Sequence, residues 1–410
     1  MSVGDVLKTV SNPIEMRNDE VYRLVSIRRR HGGMFDRERL PGVRILTKDL
    51  SRAEVGAFAI AKRQVVHGAT CIVPPEFRDA ALASSYAQLV GTELCHVEFF
   101  AKLAQLPAMT NAFYDASQGV VVEKLTLSLS RWLRTKINLP PLPEQQRISE
   151  ILDTVDEAIR KTEEIIAKLK QVKQGLLHDL LTRGIDDNGE LRDPDRHPEQ
   201  FKDSPLGRIP KGWERHRLLN LVTLPSGQLD PCIAPHRDWP LVAPDHIESA
   251  TGRLLAVETA AEQGAISGKY GFEPGDVLYS KIRPYLRKAV LATFRGLCSA
   301  DMYPLRPHHR LSPRFLLAAI LGEPFSQFAE TVSMRSGFPK INRKELGEYI
   351  LWIPTRAEQN QIAAVLVSND RRQAQEEAEL SKLHLLKQGL MEDLLKGRVS
   401  VSPLLAERSK

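Results

Sequence analysis

Forty-two residues of this chain occur twice. Glu144–Ile185 returns as Glu358–Val399, 214 residues later and without a gap. Fifteen of the aligned positions are identical, and seven of them fall in one block. Lys173-Gln174-Gly175-Leu176 and Asp179-Leu180-Leu181 match Lys387-Gln388-Gly389-Leu390 and Asp393-Leu394-Leu395. Shared helical composition scatters matches among Glu, Lys and Leu, but it does not produce an ungapped nine-residue block. The repeat is therefore a duplication, and it commits the chain to two similar long helices.

In the first copy apolar residues fall at Ile148, Leu152, Val155, Ile159, Ile166, Leu169, Val172, Leu176 and Leu180, with Thr162 in the gap. Steps of three and four residues alternate, which is the spacing of a coiled-coil seam. A helix over Glu144–Leu181 spans roughly 57 Å at about 1.5 Å per residue. Pro140, Pro141 and Pro143 stiffen its entry, and Gly184 stops it. The second helix, from Glu358 to about Lys396, departs from the first. Asn369, Gln373 and Glu376 stand at its seam positions, so either its middle faces water or it packs on a shifted face through Val367, Ala374 and Ala378.

At 410 residues the chain is too long for one core, since single cores stop growing near roughly 250–300 residues. Residues 1–142 read as an α/β unit with strands at Val21–Ile27, Ala57–Lys62, Gln64–Val73 and Ser84–Val90. Its helices fall at Glu98–Leu106 and Met109–Tyr114. Residues 143–183 form the first long helix and 184–206 a polar linker. Residues 207–356 form a second α/β unit, 357–398 the second long helix and 399–410 a loose tail. The second unit has expected strands at Leu241–Ala243, Arg253–Val257, Asp276–Lys281, Lys288–Thr293 and Met302–Arg306, and helices at Pro313–Leu321 and Pro324–Val332. Gly56–Lys62 and Leu24–Ser26 are echoed at Gly275–Lys281 and Leu241–Ala243 at nearly the offset of the helices. The duplication thus extends to both halves, with the α/β units far more diverged than the helices.

Catalytic and metal-binding signatures are missing from the sequence. Cys71, Cys95, Cys232 and Cys298 stand singly, which gives neither a disulfide framework nor a zinc site and suits a reducing cytoplasm. No apolar run is long enough to cross a membrane, and the N-terminus lacks the pattern of a signal peptide. Gln263–Lys269 resembles a phosphate loop, but its glycines are one residue too close and Tyr270 replaces the Mg²⁺-binding hydroxyl. His67, His96 and His308-His309 have no ligand partner at helical spacing. The net charge of +6 and pI near 9.0 permit a nucleic-acid partner without requiring one.

What remains is basic chemistry at one repeated position. Lys62-Arg63 follows a strand in the first unit, and Lys281-Ile282-Arg283-Pro284-Tyr285 follows its counterpart in the second. Arginine can bond guanine O6 and N7 with two hydrogen bonds, and lysine or arginine can pair with phosphates. The competing reading is a solvated loop. Arg28-Arg29-Arg30-His31 reads first as a solvated turn and second as a phosphate clamp. Ser336-Gly337-Phe338-Pro339-Lys340 and Ser117-Gln118-Gly119 occupy similar places late in each unit, where glycine allows close approach or simply makes a turn.

The pattern resembles the DNA-specificity subunits of type I restriction–modification systems. The residues that carry the resemblance are Leu139-Pro140-Pro141-Leu142-Pro143-Glu144-Gln145-Gln146-Arg147-Ile148, the Lys173–Leu181 block, and their echoes at Ile353-Pro354, Glu358-Gln359 and Lys387–Leu395. Gly207–Trp213, Tyr279–Tyr285 and Ser336-Gly337 add to it. The resemblance implies an α+β fold in which two α/β target-recognition domains are separated by two long antiparallel coiled-coil helices, with a pseudo-twofold internal repeat. It implies a non-catalytic subunit that binds a bipartite double-stranded DNA target and docks two modification (methyltransferase) and two restriction subunits in the cytoplasm. S-adenosylmethionine, ATP and Mg²⁺ would be held by those partners, with no metal or cofactor on this chain and no membrane contact. Lys62, Arg63, Lys281, Arg283, Tyr285 and Lys340 are then the candidate DNA contacts. Glu144, Gln145, Gly175, Leu176, Glu358, Gln359, Gly389 and Leu390 are the candidate spacer and docking positions. The first unit departs from the pattern in lacking the Gly-x-Ile-Pro-x-x-Trp lead of Gly207–Trp213. The alternative is a helical scaffold whose α/β domains bind proteins.

Overall fold

The structure is a computed structural model, and it describes residues 1–205, 207–333 and 339–408. Ser336, Gly337 and Phe338 of the late glycine motif lie outside the described residues. The chain divides into two compact units. The first comprises Met1–Glu163 with Ala378–Lys410, and the second Glu164–Glu377. Each unit therefore holds one α/β part and a half of each long helix. The long helices run Leu142–Thr182 and Arg356–Leu395.

Both units contain the same sheet. In the first, strands Leu7–Val10, Tyr86–Gly91, Phe58–Ala61 and Thr70–Ile72 lie side by side, all antiparallel. In the second, Val222–Thr223, Met302–Pro307, Val277–Ser280 and Ala289–Leu291 repeat that order and direction. The central strands Phe58–Ala61 and Val277–Ser280 are buried at every position, as strands covered on both faces must be. A second sheet is also shared. Val21–Ile27 runs parallel to Ala80–Ala83, which pairs antiparallel with Leu50–Arg52; Leu241–Val242, Gly296–Cys298 and Tyr270–Phe272 do the same. The first unit adds strand Met34–Pro41 at the edge of this sheet. Short sequence echoes had suggested a whole-half duplication, and the shared strand order establishes it.

Aromatic side chains join sheet to helices. Trp132 is fully buried, stacked on Phe113 at 5.0 Å between ring centroids and edge-on to Phe100 at 6.1 Å. In the second unit Phe325 sits edge-on between Tyr279 and Tyr349, at 5.1 and 4.9 Å. Burial pushes the Tyr279 and Tyr349 phenols well above the ordinary tyrosine range.

Within each unit the halves of the long helices are antiparallel. In the first unit Lys387 pairs with Asp156 at 2.5 Å, and beyond it Leu394 and Leu395 join Ile148 and Leu152 in one cluster. In the second, Lys173 pairs with Asp370 at 2.6 Å, and Ile362 and Leu366 join Leu177 and Leu180. The two ion pairs are repeat equivalents, each joining the lysine of one copy to the aspartate of the other. The seam differs from the strict pattern after Leu169. Lys173 and Leu177 are buried there, whereas Val172 is 50% exposed. A helix of 3.6 residues per turn drifts against a 3.5-residue seam, so a second step of four restores the contact. The second helix keeps its seam in register with a polar residue in it. Gln373 is buried and donates to Glu377 at 2.9 Å, while Ala374 and Ala378 of the shifted face are exposed.

Other expectations are corrected. Gln64–Val73 is a turn, Val65–His67, followed by a short strand, because Gly68 takes a left-handed φ of 73°. Arg253–Val257 forms no strand; only Leu254 bridges, to Ile247. The strand expected at Ser84–Val90 begins at Tyr86 and runs to Gly91, because Ser84 and Ser85 form the turn that parts it from strand Ala80–Ala83. The stretch read as a linker carries the hairpin Phe201–Ser204 with Gly207–Pro210, and Ile185 and Phe201 are buried. The tail includes a short helix, Ser402–Arg408, whose Ser402 hydroxyl donates to Glu144 at 2.9 Å.

Candidate recognition loops and the repeated helix surface

Lys62 and Lys281 end the central strands of the two units, and the backbone around them is matched. The carbonyls of both accept from the next layer, from Leu127 N–H and Ile341 N–H, at 2.9 Å each. In the second unit this arrangement gathers the candidates. Ile282 bridges to Lys340, and Arg283 N–H donates to Pro339 O at 2.9 Å, so Lys281, Arg283, Tyr285 and Lys340 share one edge. Arg283 and Arg287 both take left-handed φ of 48° around the turn Pro284–Leu286. An arginine there costs energy that a glycine would not, and such strain persists where the surrounding structure fixes the turn. Arg283 and Lys340 are exposed, and Tyr285 is 53% exposed. Lys281 instead lies over the Tyr303 ring at 5.3 Å, with Arg343 over the same ring at 5.8 Å. Arg343 escaped the sequence reading because no repeat or basic run marks it.

The first unit is built differently. Lys62 donates its ammonium to Ser84 O at 2.8 Å, whereas Arg63 is exposed. Beside them sits the basic run that read as a solvated turn. Arg30 N–H donates to His67 O at 2.8 Å and His31 N–H to Gly68 O at 2.7 Å, both with φ of 55°. Arg29 spans Gln64 at 2.9 Å and Glu123 at 2.8 Å. Arg28–His31 and Lys62-Arg63 thus form one basic edge, which only the long-range backbone pairing could reveal. Burial, with Lys387 adding to it, holds the His31 imidazole below its ordinary range.

The helix candidates separate into two kinds. Gln145 and Gln359 are almost fully buried. Gln145 donates to Leu94 O and Pro140 O, at 2.9 and 2.8 Å, and accepts from His96 N–H at 2.9 Å. Gln359 donates to Arg310 O and Pro354 O, both at 3.0 Å, and accepts from Ser312 N–H at 2.7 Å. His96 and Ser312 each precede a helix, Val97–Leu103 or Pro313–Leu321. Both glutamines therefore fasten a long helix to the α/β part and show no surface to a partner. Glu358 is likewise internal, accepting from Arg192 at 2.5 and 3.2 Å, Ile185 N–H at 3.0 Å and Trp213 Nε1 at 3.2 Å.

Gly175 and Gly389 are exposed in mid-helix, with open space where a Cβ would stand. Three residues earlier Val172 and Leu386 are each 50% exposed. Leu176 and Leu390 are half-buried against their cores. Each copy thus presents an exposed aliphatic residue beside a glycine notch at equivalent positions. Among the described residues no group of His, Cys, Asp and Glu is arranged to hold a metal ion, and no helix is long and apolar enough to cross a membrane.

Comparison with known proteins finds matches over parts of the chain and for its fold. Residues 89–171 match the type I restriction modification DNA specificity domain. The chain is 34% identical over 240 residues to the type I restriction enzyme EcoDI specificity subunit of Escherichia coli, covering 55% of this chain and 53% of that protein. It is also 34% identical over 93 residues to the MjaVIII specificity subunit of Methanocaldococcus jannaschii, covering 23% and 20%. The match thus spans about half the length of the first relative and less of the second. Two solved structures share the fold over nearly the whole chain. One, from work on complex assembly and conformational transition of a type I restriction–modification system, has a TM-score of 0.57 at 18% identity over 97% of both chains. The other, the S subunit of the type I system of M. genitalium, has 0.57 at 11% identity over 96% and 95%. The chain thus carries the type I restriction modification DNA specificity domain over residues 89–171 and shares the fold of proteins from type I systems over nearly its whole length.

Proposed function

We propose that this chain is the non-catalytic sequence-recognition subunit of a type I restriction–modification complex in the cytoplasm. Residues 1–142 and 207–356 act as target-recognition domains, each binding one half of a bipartite double-stranded DNA site. The helices 143–183 and 357–398 act as the spacer between the halves and as docking surfaces for two modification and two restriction subunits. Those partners hold S-adenosylmethionine, ATP and Mg²⁺.

The observation that carries this reading is the matched basic strand end, Lys62 in one half and Lys281 in the other. Around it, Arg63 and the Arg28–His31 run supply one cationic edge, and Arg283, Tyr285 and Lys340 supply the other. Lysines and arginines on such edges fix a protein on the phosphate backbone, and bidentate arginines read bases. Divergent edges on a common fold suit two different half-sites. For docking, the support is the paired notch at Gly175 and Gly389. A mid-helix glycine costs about 1 kcal/mol relative to alanine, and both copies keep one where nothing in their own unit needs the space. Equivalent notches suit two copies of one partner.

DNA footprinting of the complex assembled with its modification subunits tests the proposal. Two protected segments separated by an unprotected gap are expected. No protection even at low salt, where phosphate contacts are strongest, would favour the protein-binding scaffold instead.

A further inference from the structure

Three apolar residues in a row stand in solvent beside the first unit's basic edge. Val120 is fully exposed, and Val121 and Val122 are exposed to about half. Among the described residues no other three consecutive large apolar side chains are exposed. Single exposed aliphatic residues are ordinary on a protein surface. A consecutive run of them contributes nothing to the core, and it marks a place where something lands.

The run caps a hairpin that grows from the recognition edge. Strand Ser117–Gln118 pairs antiparallel with Thr126–Leu127, and Leu127 N–H donates to Lys62 O at 2.9 Å. Between the strands the chain closes on itself. Lys124 N–H donates to Val121 O at 2.8 Å, and Leu125 is buried. Gly119 permits this closure: its φ is 147°, and a Cβ there would stand 3.2 Å from both Lys124 O and the Leu125 side chain. Glu123 ties the tip to the basic run, accepting from Arg29 at 2.8 Å with His67 Nε2 3.6 Å away. The valines are therefore held outward on an edge where Arg28, Arg30, Arg63 and Lys124 are also exposed.

We propose that Val120 and Val121, at the tip of this hairpin, read thymine by packing against its C5 methyl group in the major groove of the first unit's half-site. The proposal rests on the DNA-binding reading above and adds which base this edge selects. The cations beside the tip hold phosphates, which brings the tip to the base edges. Thymine carries the one methyl group that base pairs present in the major groove, so it is the feature a branched aliphatic side chain can distinguish. The polar donors and acceptors of the other bases would lose water against valine and gain no partner. A wedge between base steps is the other apolar contact with DNA. It uses larger side chains such as phenylalanine, leucine and methionine, whereas a valine ends at its γ methyls.

Exchange of thymine for uracil tests it, because this removes the methyl group and leaves base pairing intact. The methyltransferase assembled on the full chain is titrated at matched salt with duplexes carrying its own methylated motif, the thymines of one half at a time replaced by deoxyuridine. Uracil in one half is expected to weaken binding about four-fold for each methyl contacted, the loss for one buried methyl group. The chain carrying Val120→Ala with Val121→Ala should bind the thymine duplex more weakly by the same factor and be indifferent to uracil in that half. Both valines are exposed, so its thermal melting should match that of the parent chain. Full affinity of the parent for both uracil duplexes, or an equal uracil penalty in parent and variant, would overturn the proposal. So would a DNA bend lost in the variant without sensitivity to uracil, read by energy transfer between labelled duplex ends, since the tip would then be a wedge. Preference of the parent complex for its motif over unrelated DNA separates the two levels. Where it persists, only the thymine contact has failed; where it is absent, the DNA-binding reading falls and this proposal with it.

Discussion

Replacing Gln359 by alanine removes one side chain and three hydrogen bonds. Arg310 O, Pro354 O and Ser312 N–H, held at 3.0, 3.0 and 2.7 Å, all lose their partner. A typical net hydrogen bond is worth about 1 kcal/mol, and a buried group left unpaired costs about 1–3 kcal/mol. Gln359 is fully buried, so water does not readily replace it, and the expected loss is about 3 kcal/mol. The effect should be local, because Ser312 precedes helix Pro313–Leu321. Hydrogen-exchange mass spectrometry should show faster exchange across 310–321 with 92–104 unchanged. Gln145→Ala should give the mirror result, since its three bonds are the same bonds at the repeat-equivalent positions. A loss below about 1 kcal/mol, or exchange spread evenly over both segments, would refute the claim that these glutamines fasten helix to domain.

Three further outcomes follow from the same geometry. Arg283→Ala should weaken DNA binding by the assembled methyltransferase by about 1–3 kcal/mol if it reads a base; equal affinity at matched salt removes it from the recognition edge. Gly175→Ala and Gly389→Ala should each raise thermal stability by roughly 0.5–1 kcal/mol, because the space above them is open. Both should weaken assembly with the modification subunit, measured by analytical ultracentrifugation, and assembly at full strength would take the notches out of the docking surface. His31 binds its proton less readily when folded than at its ordinary value near 6.5. The unfolded chain therefore takes up more protons as pH falls through that value, and stability drops on the acid side. His31→Gln should flatten that part of the pH–stability curve, as followed by urea denaturation.

The duplication was legible because helix positions repeat as identities without a gap. Helix Pro313–Leu321 matches its expected span residue for residue, since proline marks its first turn and apolar residues fill it. The roles of Gln145 and Gln359 were not legible. A repeated polar residue looks the same in sequence whether it faces a partner or caps a buried loop, and only the carbonyls around it decide. Val172 fitted a strict 3.5-residue seam, yet helical drift turns it outward and turns Lys173 in, where Asp370 and Thr251 O hold its ammonium. The first unit's basic edge stayed hidden because Arg30 and His67 lie far apart in the chain and meet through backbone pairing. Arg253–Val257 carried β-rich residues but stands outside both shared sheets, so propensity had no partner strand to act on.

The claim at the centre of this account is that two diverged domains on repeated helices read two DNA half-sites. Sequencing methylated adenines in the genome of a strain expressing this chain with its modification subunit tests it most directly. The account predicts a single bipartite motif, two short specified halves with methylated adenines and a fixed unspecified gap, which disappears when this chain is deleted. A contiguous motif, or no motif that depends on the chain, would contradict it.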